Sequence, residues 1–205
     1  MVRIVKKAEV RRAEIVQAAR YLFQTQGYEK VTMQEVMERL GIAKGTIYHH
    51  FQSKEELLEA VVENIVAEQI TRMQQVVDEA EGSALDKLRL LVLAGRNAEG
   101  GNEILERLHH SGNVGMHTRL LAVALIGQAP LYAELIRQGC EAGLFQTEYP
   151  LECAEYILSA LQFLTDTGVY PWTQEQLLRR AMAFPSLIEA QLKAPQGSFQ
   201  FLFEI

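Results

Sequence analysis

The chain has only two cysteines, Cys140 and Cys153, among 205 residues. That is too few for a disulfide framework and fits a reducing compartment. Five prolines, with no long Gly, Ser or Gln tract, exclude a disordered linker as an organising element. Uninterrupted apolar runs are short, and none approaches the ~18 residues that a membrane span needs. The N-terminus reads Met1-Val2-Arg3-Ile4-Val5-Lys6-Lys7 and then turns charged, without the apolar centre of a secretory signal. These absences predict a cytoplasmic chain with no membrane partner. Long alternating β-branched runs are also missing, which removes the usual signature of a sheet. Net positive charge is lacking too, since 20 basic residues face 26 acids for a total of −6. Taken alone, that balance would disfavour a nucleic-acid partner.

The distribution of charge reverses that inference for one end. Residues 1–54 hold ten Lys/Arg against five acids, a balance of +5, which leaves −11 for the remainder of the −6 chain. A basic end on an acidic body suits a domain that faces DNA. A solvated fluctuation of surface charge is the plainer alternative.

Almost every segment has helical period, and the predicted fold is all-α. A first helix over roughly 7–26 places Ile15, Ala18, Ala19, Leu22 and Phe23 on one face. Gly27 then offers the left-handed residue that ends helices cheaply. Thr32 with Glu35 three residues on has capping-box spacing and opens a second helix that stops at Gly41. A third, short helix spans Gly45 to Phe51. Ser53 with Glu56 opens a long fourth helix expected to reach Val77 or beyond. Further helices are predicted near 85–98, 102–110, 116–142 (kinked at Pro130), 150–168 and 173–193. The apolar tail Phe199-Gln200-Phe201-Leu202-Phe203 has no predicted packing partner.

The chemistry is concentrated in Val31-Thr32-Met33-Gln34-Glu35-Val36-Met37-Glu38-Arg39-Leu40-Gly41-Ile42-Ala43-Lys44-Gly45-Thr46-Ile47-Tyr48-His49-His50-Phe51. Two helices joined by a three- to four-residue turn containing glycine make a helix-turn-helix. Ile42, Ile47 and Phe51 supply apolar contacts for the second helix. Gly45 and Thr46 keep its leading end slim enough to approach a major groove, while Tyr48 and His49 project toward phosphates or base edges. Lys54, at the start of the fourth helix, is placed to neutralise a phosphate. Core packing of Tyr48, and an idle His49-His50 pair with His50 turned toward the first helix, remain the structural alternatives.

From about Arg11 to Glu63 the chain resembles the tetracycline-repressor family of bacterial regulators. The Gly41–Phe51 run followed by Ser53-Lys54-Glu55-Glu56-Leu57 carries most of that resemblance. It implies a helix-turn-helix DNA-binding domain over 1–54 and a helical effector-binding and dimerisation domain over 55–205. It also implies that Thr32, Lys44, Gly45, Thr46, Tyr48, His49 and Lys54 form the DNA surface. One departure is Ala43, where the family usually has a serine or threonine cap. The missing cap forgoes about 1 kcal/mol, which would leave full ordering of the helix to DNA.

Nothing in residues 83–205 identifies an effector. The family implies a cavity between the middle helices and pairing of the last two helices across a two-fold axis. On 151–168, Leu151, Ala154, Leu158, Leu161 and Leu164 make one apolar face and Tyr156, Ala160 and Phe163 another, with Glu152, Glu155, Ser159, Gln162 and Asp166 between them. Two apolar faces need two packing partners, and a second subunit can be one. Polar groups in apolar surroundings, the candidate ligand residues, are Arg96, Asn97, His109, His110, Asn113, His117, Gln162 and Asp166. The histidines offer no i, i+3 or i, i+4 pair for a metal. Neither a nucleophile elbow nor a phosphate loop is present, so no enzyme and no cofactor is expected.

These readings predict a homodimeric repressor that binds double-stranded operator DNA and is released by an unidentified small-molecule effector. Corepression, and control by a protein partner without a ligand pocket, stay open as alternatives.

Overall fold

The computed structural model describes residues 8–96, 114–167 and 169–202. Among them are eight α-helices and two single 3-10 turns, with no strand. The helices are α1 (Ala8–Gln26), α2 (Met33–Leu40), α3 (Lys44–His50), α4 (Lys54–Glu79), α5 (Ala84–Arg96), α6 (Val114–Glu141), α7 (Pro150–Leu164) and α8 (Gln174–Leu192). The 3-10 turns cover Tyr28–Lys30 and Gln200–Leu202. The helix expected over 102–110 lies outside the described residues. Two compact units divide inside α4, between Ile65 and Val66.

In the first unit, α1 buries Ile15, Val16, Ala18, Ala19, Leu22 and Phe23. The expected stripe is therefore present, widened by Val16. α2 is only eight residues long, too short to stand by propensity, and both of its ends are closed by side chain or backbone. At its start the Thr32 hydroxyl oxygen accepts the Glu35 amide at 3.3 Å, and the Glu35 carboxylate accepts the Thr32 amide at 2.7 Å. Those bonds hold the Glu35 carboxyl below its usual range. At its end Gly41 adopts φ 62°, where a side chain would be strained, and donates to the Glu38 carbonyl.

α3 begins at Ala43 with no side-chain cap. The helix is complete nonetheless, because Ile47 and Phe51 are fully buried and anchor it by its apolar side. Burial of two such side chains is worth about 3–6 kcal/mol, which outweighs the ~1 kcal/mol the cap forgoes. Ala43→Ser should accordingly raise stability by about 1 kcal/mol, and an unchanged urea midpoint would refute that account.

The second unit holds the rest of α4 with α5–α8. Its core gathers Met73, Leu88, Leu91, Leu135, Ile136, Leu158, Ile188 and Leu192, with Phe199 and Phe201 from the tail. The tail thus has a place. Phe199 stacks on Phe145 at 5.9 Å between ring centres, and its amide donates to the Glu189 carboxylate at 3.2 Å. The path of Phe145 depends on Gly139, where a Cβ would lie 2.2 Å from its ring. α6 runs unbroken through Pro130. By length and composition it is the single helix among the described residues that could cross a bilayer. Here it is the central helix of the unit, with Leu120, Ala129, Leu131, Leu135 and Ile136 buried.

Pro150 occupies the first turn of α7, where its missing N–H costs nothing. Thr173 caps α8 in a box with Gln176. α7 stops at Leu164, four residues before its expected end, so Asp166 lies in the following loop. In the single chain the two-faced pattern read from the sequence is covered only in part. Ala154 and Leu158 are buried, but Leu151 and Leu164 stay exposed, and Gln162 turns inward instead of joining the polar strip. Leu151 and Leu164 sit in the first and last turns of α7.

Candidate nucleic-acid interface and effector cavity

α3 presents a row of side chains with little to do inside the protein. Lys44, Gly45 and His49 are exposed, and Thr46 and Tyr48 are half-buried. A Cβ on Gly45 would meet no atom within 4 Å, so neither space nor backbone sign within the chain requires glycine there. The Lys44 ammonium stands 5.6 Å from the centre of the Tyr48 ring, keeping cation and aromatic together on the outward side. The Tyr48 backbone is fixed by the Gln52 side-chain amide, which donates to the Tyr48 carbonyl at 2.6 Å.

His50 points back into its own unit. Burial, then His49 and the α1 cations Arg12 and Arg11, push its pKa down and favour the neutral ring. Arg12 also covers the Phe51 ring at 5.0 Å, and Arg39 covers Tyr21 at 3.8 Å. These two arginines lie over aromatic rings while leaving positive charge at the surface, a placement that composition alone does not show.

Two expected DNA contacts have occupations within the unit. Thr32 spends its hydroxyl on the capping box with Glu35. The Lys54 ammonium donates to three carbonyls, Tyr28 at 3.0 Å, Val31 at 3.1 Å and Glu29 at 3.3 Å, and lies 4.2 Å from the Tyr28 ring centre. An ammonium has three hydrogens, and all three are used. Tyr28 in turn hydrogen-bonds Glu55, and burial together with Glu55 and Glu29 lifts its pKa to about 12. Lys54 therefore ties the 28–31 turn to the start of α4. Lys54→Met should lower unfolding stability by about 2 kcal/mol, because a charge-assisted set is lost and the carbonyls remain. A phosphate-gripping lysine would behave differently, leaving the melt unchanged and reducing the salt slope of DNA binding by about one.

In the second unit a cavity of about 430 Å³ lies among α5, α6, α7, α8 and the C-terminal turn. Leu88, Val92, Ile136, Leu158, Phe184 and Phe199 supply much of its wall, and Gln128, Tyr132, Gln162 and Thr165 supply its polar groups. Of the residues expected to meet a ligand, Gln162 lines this cavity. His117 and Asp166 do not; they are buried against each other, with Nε2 and Oδ2 2.5 Å apart. That contact joins α6 to the loop after α7 across 49 positions, and the Asp166 carboxylate also accepts the Val169 amide. In this contact the His117 Nε2 and one Asp166 oxygen are committed to each other. Arg96 ends α5, and its side chain, with Asn97, His109, His110 and Asn113, lies outside the described residues. Gln128, Tyr132 and Thr165 were missed because only their helical neighbours, not their own types, mark the inward face.

Part of the exposed surface of the last two helices is apolar. On α8, Met182, Ala183, Ser186, Leu187 and Ala190 form a charge-free exposed face, with Met182 and Leu187 each about three-fifths exposed (60% and 61%). On α7, Tyr156 and Phe163 are exposed on the turn-related positions 156 and 163.

Comparison with known proteins accords with this geometry. Residues 15–61 match the model for "Bacterial regulatory proteins, tetR family", and residues 97–187 match "Tetracyclin repressor-like, C-terminal domain". The HTH-type transcriptional repressor KstR2 of Mycolicibacterium smegmatis is 37% identical over 41% of this chain and 40% of its own length. Its namesake in Mycobacterium tuberculosis strain H37Rv is 24% identical over 74% of this chain and 78% of its own. Among solved structures, a transcriptional regulator from Cytophaga hutchinsonii covers 97% of this chain and 99% of its own, with a TM-score of 0.64 at 19% identity. That last likeness is one of fold.

Proposed function

Because the chain belongs to the tetracycline-repressor family of bacterial regulators, we propose that it is a homodimeric repressor which a small molecule releases from a palindromic operator. DNA binding and transcriptional regulation are the family's business; operator symmetry, the effector and the sign of its action are the proposal. The single observation that carries it is α3, whose Lys44-Gly45-Thr46 start faces open space with Tyr48 and His49 beside it. A helix end so slim fits a major groove, and its cationic and hydroxyl groups suit phosphate oxygens and base edges. Lys44, Gly45, Thr46, Tyr48 and His49 make the contact surface. Thr32 and Lys54 hold the two helices that present it.

The charge-free face on α8, with Tyr156 and Phe163 on α7, pairs with its own copy across a two-fold axis. Dimerisation sets two α3 helices against half-sites about one helical turn apart. An effector in the 430 Å³ cavity shifts the population toward a spacing that no longer matches. Release by tenfold requires a differential affinity of only about 1.4 kcal/mol. The reading places the protein in the cytoplasm, with the DNA.

Fluorescence anisotropy on duplexes from the gene's own upstream region tests this. One duplex should bind in preference to the others, with affinity falling steeply as salt rises from 50 to 200 mM (by about a thousandfold if six or more phosphates are contacted). A purified dimer with no salt-sensitive preference for any promoter duplex would end the proposal.

A further inference from the structure

The cavity's walls say what kind of molecule belongs in it, granted that it is the effector site. None of its described lining side chains carries a charge. An ion held against these walls would shed water without a counter-ion among the described lining residues to replace it, an unfavourable exchange for a carboxylate or an ammonium. Polarity is instead concentrated at one pair. The Gln162 side-chain amide donates to the Gln128 side-chain carbonyl at 3.3 Å, a long bond between two half-buried groups. That bond leaves the Gln128 N–H groups and the Gln162 carbonyl available, so the pair can both donate and accept. Thr165 is less available, because its hydroxyl hydrogen is given to the Leu161 carbonyl at 2.6 Å. The volume, about 430 Å³, equals on the order of fourteen water volumes and falls within the range of small-molecule pockets.

We propose that the cavity takes a neutral, largely apolar molecule with one uncharged hydrogen-bonding group, a hydroxyl, ketone or amide, which the Gln128–Gln162 pair reads. Anions and cations of the same shape are rejected. The pair is a device for specificity, because an apolar ligand without that group leaves two amides half-satisfied, whereas a charged one leaves its own charge unanswered.

Two matched probe pairs test it on the full dimer. N-Phenyl-1-naphthylamine and 8-anilino-1-naphthalenesulfonate share one skeleton and differ by a sulfonate; the neutral dye should bind at one site per protomer, at least about tenfold more tightly than the anion. 1-Decanol should displace that dye at least about tenfold more readily than decanoate or decylammonium does at pH 7. Gln162→Leu should keep the dye but shrink the preference for decanol over decane-1-thiol, while Gln162→Asn restores part of it. A thermal melt of each variant without probe checks that it folds. Equal or tighter binding of the sulfonate or of decanoate overturns the proposal, as does a decanol preference unmoved by Gln162→Leu in a folded protein. Absence of dye binding overturns it as well. Operator anisotropy is read in parallel: selective filling of the cavity without any change in DNA affinity would spare this inference and sink the effector reading instead.

Discussion

Changing Met182 and Leu187 together to glutamate should turn the dimer into a folded monomer that no longer holds its operator. Both side chains are exposed in the single chain, on a face with no charge from Met182 to Ala190. Covering each in a dimer is worth about 1.5–3 kcal/mol, and a two-fold axis counts every substitution twice. Their apolar loss alone therefore amounts to about 6–12 kcal/mol per dimer. The four carboxylates placed in the interface add a desolvation cost of several kcal/mol. Sedimentation velocity at 10 µM should show one species near the monomer mass of 23.1 kDa. Each subunit's core is untouched, because neither side chain is part of it, so helicity and melting of the monomer remain cooperative. A variant that stays dimeric at that concentration would show that some other surface makes the dimer.

Gly45→Ala is the second large effect, and it has opposite signs in two assays. Alanine is favoured over glycine in a helix by about 1 kcal/mol, and the new methyl meets nothing in the protein. The fold should therefore gain stability by up to about 1 kcal/mol. Operator affinity should fall at the same time, because the methyl occupies the gap between α3 and the groove. Crowding a close-packed contact costs about 1–3 kcal/mol per protomer, so the dimer loses roughly thirtyfold or more. A more stable protein that binds DNA less well would be hard to explain by misfolding. Unchanged affinity in a stabilised Gly45→Ala variant would remove this face of α3 from the interface, and with it the main support for the functional reading. Tyr48→Ala supplies the complementary measurement, a loss of affinity across all sequences if the ring serves the backbone and a selective loss if it reads bases.

Local signals in the sequence read well, and long-range ones read poorly. The Thr32–Glu35 box, Gly41, Pro150 and Thr173 each act on backbone groups within four residues, so their positions alone locate helix ends. Lys54 shows the opposite case. Its position at a helix start suggests an anion, yet its partners are carbonyls 23 to 26 positions away, which no local rule points to. The His117–Asp166 contact spans 49 residues, and a polar residue in apolar surroundings looks the same in sequence whether it faces a ligand or another side chain. Gln162 lines the cavity although the helical pattern sets it in the polar strip with Glu152, Glu155 and Ser159, because period alone does not say which polar residue faces a neighbouring helix. α7 ends where the Thr165 hydroxyl turns back to the Leu161 carbonyl, and four further residues of favourable pattern could not reveal that stop.

The placement of Phe199 and Phe201 has a practical outcome for anyone handling the gene. A nonsense change near codon 198 strips two buried rings from the core and opens one wall of the cavity. Losing two such rings costs about 6–10 kcal/mol by analogy with truncating aromatic side chains in a core, comparable to the entire margin of a typical domain. Random libraries should therefore yield few tolerated stops upstream of Phe201.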